Sequence, residues 1–306
     1  MSAPEVKFMN GQYVALIDGK IVRRTKKEHM DYVIRKAMEA EAKIAPVNFG
    51  EESSDEGEVE TNARFTVHQR FGFVADMITM LAKGIQPSVI ITGPGGLGKT
   101  HTVMSALTDA GFEDGTLLTG LDEDDVVNRE KLYTVVKGYS TPKGLYRTLY
   151  ENRDGVIVFD DCDRVLQDSD AINLLKGALD SYDRRIISWR ADMKDDDLPN
   201  AFEFEGRVVF ISNRPSHKID QAILSRSMVV DLSMSTDEKI ERMQFLVDQP
   251  EFMEEYPKNI KQEALNHIAT LKDKAKDLSL RTLITVSKIR MAGGANWKDL
   301  AEYAIS

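Results

Sequence analysis

Residues Val89–Val103 read VIITGPGGLGKTHTV. Four glycines, a proline and a lysine lie between two apolar runs. Glycine costs backbone entropy, so this density marks a place that needs bare backbone. Gly93, Gly98, Lys99 and Thr100 fill the fixed positions of G-x-x-x-x-G-K-[ST], the phosphate-binding loop. Val89–Ile91 reads as a short buried strand, and Thr100–Leu107 as the first turns of a helix. In that setting inward-turned N–H groups and the helix N-terminus capture an anion. The expected nucleotide contacts are Gly93, Pro94, Gly95, Gly96, Leu97, Gly98, Lys99, Thr100 and His101. Lys99 is expected at the β- and γ-phosphates, and Thr100 as a ligand of Mg²⁺.

Outward from this loop the chain alternates strands and helices. Phe71–Lys83 reads as a helix before the loop. KLYTVVKG, GVIVFDD, RIISW and RVVFISN read as further strands, with helical stretches such as AINLLKGALDS between them. That alternation predicts a parallel sheet covered on both faces. After about Leu232 the strands stop, and four stretches with helical periodicity follow. The expected fold is α/β: a P-loop NTPase parallel sheet sandwiched by helices, then an all-helical C-terminal lid. The core spans 64–232 and the lid 233–306.

Ahead of the core, YVALIDGKIVRR predicts a hairpin about Asp18-Gly19. KKEHMDYVIRKAMEAEAKI predicts a helix, with Met30, Val33, Ile34 and Met38 on one stripe. Residues 1–45 thus form a small α+β appendage. Residues 46–63, PVNFGEESSDEGEVETNA, are acidic and poor in apolar residues, which predicts a flexible linker.

The 306 residues are 42% hydrophobic, enough for a sizeable core. No stretch approaches the ~20 apolar residues of a membrane span. The opening MSAPEVKFMN lacks the apolar run of a signal peptide. Cys162 is the single cysteine, so no internal disulfide forms, and a reducing compartment fits. One cysteine makes no metal site, and Cys162 is expected to pack beside the sheet. The expectation is a soluble cytoplasmic protein. Net charge is −10, which excludes a general nucleic-acid coat. A local basic site stays open, because Lys20, Arg23, Arg24, Lys26 and Lys27 cluster near the start.

Four further stretches carry candidate chemistry. VIVFDDCD delivers Asp160 and Asp161 at the C-terminal end of an apolar strand, the edge where open α/β sheets bind ligands. Asp160 suits Mg²⁺, and Asp161 suits an attacking water. RVVFISNRP ends in Asn213, whose amide suits the same water. IDQAILSRS carries Arg226, thirteen residues further on. LSLRTL carries Arg281, in the lid.

Taken together these residues resemble an AAA+ ATPase over about residues 64–306. The resemblance implies Walker A at Gly93–Thr100, Walker B at Val156–Asp161, sensor 1 at Asn213, an arginine finger at Arg226 and sensor 2 at Arg281. Ser225-Arg226-Ser227 is similar to the Ser-Arg-Cys box of clamp loaders, and the texture of FDDCD looks like phage-encoded members. The family implies ATP and Mg²⁺ at the interfaces of a homo-oligomeric ring or spiral, commonly a hexamer, with Arg226 acting in trans. For a phage protein the compartment is the host cytoplasm. One departure stands out: the family has Asp-Glu where this chain has Asp160-Asp161. The shorter side chain leaves its carboxylate about 1 Å farther from a water placed for Glu, and misplacement of that size costs ~10²-fold in rate. Either the local backbone compensates, Asp163 contributes, or hydrolysis is slow; slow but real hydrolysis is expected.

VVKGYSTPKGLYRTLYENRDG follows the second strand, where such proteins often face a channel. Lys137, Tyr139 and Lys143 suit gripping single-stranded bases or a polypeptide; a turn on Gly138 and Pro142 fits equally. Arg190 and Lys194 suit a second substrate loop, against Asp195–Asp197. The leading expectation is a remodeller in DNA replication or recombination, favoured by the Ser225-Arg226-Ser227 box and the basic Lys20–Lys27 segment; the alternatives are a chaperone-like protein remodeller and a nucleotide-gated scaffold with weak hydrolysis.

Overall fold

The computed structural model describes residues 5–9, 12–17, 20–25, 64–116, 129–138, 141–189, 198–272, 274–275 and 278–305. They belong to two units, each taken by itself. In the first, β1 (Glu5–Met9), β2 (Gln12–Ile17) and β3 (Lys20–Thr25) form an antiparallel meander. Ile17 pairs with Lys20, the register of a two-residue hairpin connection. Strand β1 was not expected from sequence. The expected helix after Lys26 and the linker 46–63 lie outside the described residues.

The second unit opens with α1 (Val67–Ala82). It begins four residues before the expected Phe71 because Thr66 and Gln69 form a reciprocal capping box. Then come β4 (Ser88–Thr92), α2 (Lys99–Asp109), β5 (Glu113–Asp114) and β6 (Leu132–Lys137). Next are α3 (Pro142–Glu151), β7 (Val156–Asp160), α4 (Ser169–Ala178), β8 (Ile186–Ser188) and β9 (Ala201–Glu203). The series closes with β10 (Arg207–Ile211), α5 (Gln221–Leu224) and β11 (Met228–Asp231).

Six strands form one sheet in the order β11-β4-β10-β7-β6-β5, and all its pairings are parallel. Alternation along the central strands explains the layers. Val89 and Ile91, Val156 and Val158, and Val209 and Ile211 pack on one face against Val74, Ile78 and Leu107 of α1 and α2. Ile90, Ile157, Phe159, Val208 and Phe210 face the other way, onto Leu145, Tyr146 and Leu149 of α3 and Leu175 of α4. Each such side chain, fully buried, contributes about 1.5–3 kcal/mol. Strands buried on both faces read as continuous apolar runs, which is how VIIT, VIVF and VVFI read.

The sheet corrects the sequence reading at three strands. RIISW does not join the parallel sheet: β8 pairs antiparallel with β9 in a separate two-stranded ribbon. Only Ile187 of β8 is buried, so the strand has one wet face. Strands β11 and β5, neither expected, add the two edges beside β4 and β6.

Beyond β11 lie α6 (Thr236–Asp248), α7 (Lys258–Thr270), α8 (Leu280–Met291) and α9 (Trp297–Ile305). They share a core of their own, built on Met243, Val247, Leu265, Ile268, Leu283 and Val286. The helical part is tied to the sheet layer by Arg70 of α1, which is 3% exposed. Its guanidinium donates to the Ser233 carbonyl and pairs with Glu238 at 2.5 Å. This is a P-loop NTPase fold with a helical C-terminal part. No helix among the described residues is long and apolar enough to cross a membrane.

Candidate functional site

Parallel register brings the C-terminal ends of β4, β7 and β10 to one edge. Ile211 pairs with both Ile91 and Asp160, so the residues just beyond them emerge together. The phosphate loop leaves β4 here. Gly93 has φ +127°, and a Cβ there would lie 2.9 Å from the Leu232 backbone. Gly96 has φ +71°, and a Cβ there would lie 3.0 Å from Ser279 Cβ. The loop is therefore pressed between the chain leaving β11 and the start of α8. The Gly96 carbonyl accepts from the Leu280 N–H at 2.8 Å, and Arg281 leaves α8 beside Gly96.

Lys99 begins α2 and is 4% exposed. Its ammonium donates to the Gly93 carbonyl, to the Pro94 carbonyl at 2.9 Å and to Asn213 Oδ1 at 2.8 Å. Burial draws its pKa from 10.5 down to about 8, against the opposing pull of Asp161, Asp160, Asp163 and Asp231. The cation is held at the mouth of the loop by neutral oxygens that a phosphate oxygen can replace. Asn213 spans the next gap. Its Nδ2 donates to Asp161 Oδ1 at 2.6 Å, so one amide joins Lys99 to Asp161. Asp161 is exposed and has φ +57°, a left-handed conformation held by its N–H donating to the Ile211 carbonyl. Strained backbone of this kind gathers at functional sites.

Thr100 Oγ1 lies 3.0 Å and 3.1 Å from the two oxygens of Asp160, which is 5% exposed. A hydroxyl beside a buried carboxylate is an oxygen donor set that suits Mg²⁺, which keeps waters and phosphate oxygens for its remaining positions. Among the described residues no cluster of three or more His, Cys, Asp or Glu side chains suits a metal.

The structure thus brings Gly93–Thr100, Asp160, Asp161, Asn213 and Arg281 to one edge. His101 is exposed on α2. Arg226 is elsewhere. It precedes β11, and β11 runs parallel to β4, so it sits at the opposite end of the strands from the phosphate loop. Its Nη1 donates to the Ala222 carbonyl at 3.0 Å, and its buried Nε has no partner. Lys137 ends β6 and pairs with Asp160 at 3.1 Å. Lys143 is exposed on α3. Tyr139, Arg190 and Lys194 lie outside the described residues. Cys162 is buried as expected; its thiol donates to the Val136 carbonyl, and burial pushes its pKa up to about 11.

Two further residues brace the site, and of these the sequence reading singles out only Asp163. Ser279 caps α8 against Gly96, and its signal was a serine directly before a helical run. Asp163 accepts from Ser212 Oγ at 2.6 Å and pairs with Arg214 at 3.6 Å, which braces the turn carrying Asp161. It is the third carboxylate of FDDCD, which the sequence offers as a contributor beside Asp161.

A 36.7 kDa uncharacterised protein from the nrdC–mobD intergenic region of enterobacteria phage T4 is 28% identical over 253 residues, covering 77% of this chain and 73% of that protein. Among solved structures, C. elegans PCH-2 has a TM-score of 0.41 at 14% identity, over 78% of this chain and 68% of that one. The E. coli MS115-1 HORMA:CdnC:Trip13 complex gives 0.38 at 13% identity, over 82% and 93%. The FIGL-1 AAA domain gives 0.40 at 16% identity, over 77% and 79%. No protein-family model matches the chain.

Proposed function

We propose that this chain is an ATPase of the AAA+ type that works between copies of itself and remodels a macromolecule, a polypeptide in preference to DNA. The observation that carries the reading is the convergence at one sheet edge: Lys99 through Asn213 to Asp161, and Thr100 to Asp160. Lys99 would hold the β- and γ-phosphates, and Arg281 would approach them from the lid. Thr100 and Asp160 would hold Mg²⁺, which supplies charge neutralisation on the phosphates. Asp161 would accept the proton of the attacking water, and Asn213 would orient that water.

Geometry supports a role for Arg226 in trans. Arg226 stands five residues before Asp231, which pairs with Thr92 at the phosphate-loop end. At ~3.3 Å per residue that is roughly 16 Å along the strand, beyond the reach of an arginine side chain. A neighbouring copy is the nucleotide site it can serve. A ring or spiral of copies follows, with a hexamer as the reading inherited from the family. The phage T4 relative supports a host-cytoplasm location.

A net charge of −10 disfavours a phosphate-backbone substrate, so a polypeptide ranks first. A DNA role keeps two features, the cluster Lys20–Lys27 and the Ser225-Arg226-Ser227 box. The deciding test measures turnover per chain against protein concentration, for wild type and Arg226→Ala. Turnover per chain should rise with concentration, and Arg226→Ala should bind ATP without turning it over. Equal turnover by Arg226→Ala would exclude the finger role. Single-stranded DNA stimulation that fades with salt would restore the DNA reading.

A further inference from the structure

Asp160 has a second cationic neighbour. Lys137 is its register partner on β6, and Lys137 Nζ lies 3.1 Å from Asp160 Oδ2. That same oxygen lies 3.1 Å from Thr100 Oγ1. One carboxylate oxygen therefore serves both the hydroxyl read as a magnesium ligand and an ammonium. The two partners differ in freedom. The Asp160 side chain is 7% exposed and fixed in the strand, whereas the Lys137 side chain is 65% exposed. Lys137 can withdraw into water at small cost; Asp160 cannot follow it.

A divalent cation and an ammonium compete for the same lone pairs and repel each other. A buried carboxylate without a partner is costly, so the ammonium serves as its counter-charge. We infer that Lys137 is a positioning residue that competes with the divalent cation for Asp160, and so sets the Mg²⁺ concentration at which the site accepts a nucleotide. This rests on the magnesium–ATP reading of the site. Lys137 guards the metal carboxylate: it keeps Asp160 paired at low Mg²⁺ and yields it at high Mg²⁺.

The test titrates Mg²⁺ against a fluorescent, non-hydrolysable ATP analogue and reads binding by anisotropy, with no turnover required. Wild type, Lys137→Met, Lys137→Gln and Lys137→Arg are compared. The Met and Gln variants should reach half-saturation at about five-fold lower Mg²⁺, the scale of one partly exposed ion pair. Lys137→Arg, which keeps the charge, should stay within about two-fold of wild type. An unchanged or raised Mg²⁺ midpoint in both neutral variants overturns the inference and leaves the ATP reading standing. Failure of wild type to bind the analogue at any Mg²⁺ concentration overturns both.

Discussion

Replacing Gly96 with alanine puts a methyl group where the phosphate loop meets the lid. At φ +71° the added Cβ would lie 3.0 Å from Ser279 Cβ, 3.2 Å from Ser279 Oγ and 3.7 Å from Arg281 Cγ. An L-residue in the left-handed region costs about 1–2 kcal/mol. Relief requires the first turn of α8 to retreat by a few tenths of an ångström. That retreat lengthens the 2.8 Å bond from Leu280 N–H to the Gly96 carbonyl, worth about 1 kcal/mol. Gly96→Ala is therefore expected to lose about 2–3 kcal/mol of stability. In a unit of this size each kcal/mol shifts Tm by about 2–4 °C, so Tm should fall by about 4–12 °C. The same retreat carries Arg281 away from the loop. One charge-assisted hydrogen bond to phosphate is worth about 1.5–3 kcal/mol, so ATP affinity should fall about 10- to 100-fold. Thermal unfolding and a titration with a fluorescent ATP analogue read the two effects. Wild-type values in both would refute the reasoning. A lowered Tm with unchanged affinity would remove Arg281 from the nucleotide site.

Gly72 offers the opposite case, because it lies inside α1 with nothing within 4 Å of an added Cβ. Gly72→Ala should raise stability by about 0.5–1 kcal/mol in urea unfolding and leave ATP affinity unchanged. Arg242 is buried over the Phe71 ring at 3.8 Å, its Nε lacks a partner, and burial lowers its pKa to about 10. Arg242→Met should match or exceed wild-type stability by up to about 2 kcal/mol; a clear loss would show that the cation–ring contact dominates. Asp161→Asn should lower single-turnover hydrolysis by at least ~10²-fold while nucleotide binding persists. Unchanged turnover would take Asp161 out of the chemistry.

Much of this site was legible because its signals are local. The spacing of Gly93, Gly98, Lys99 and Thr100 needs only one strand–loop–helix unit, and the apolar runs before Asp160 and Asn213 mark strand ends directly. What was not legible depends on partners distant in sequence. Whether RIISW joins the main sheet depends on residues 201–203, which pair with it instead. The contact of Lys137 with Asp160 depends on the register between two parallel strands, which no local pattern encodes. The same register separates Arg226 from its own phosphate loop, which spacing along the chain does not reveal. Strand β11 is four residues long, too short for periodicity to separate from a turn.

Titration calorimetry with a non-hydrolysable ATP analogue and Mg²⁺, on wild type and Lys99→Ala, addresses the phosphate loop without any assumption about substrate or assembly. Saturable binding of one nucleotide per wild-type chain, weakened by about 100-fold or more in Lys99→Ala, is the expected result. Absence of binding to wild type, or equal affinity in the folded Lys99→Ala chain, would contradict the reading of this edge as a nucleotide site.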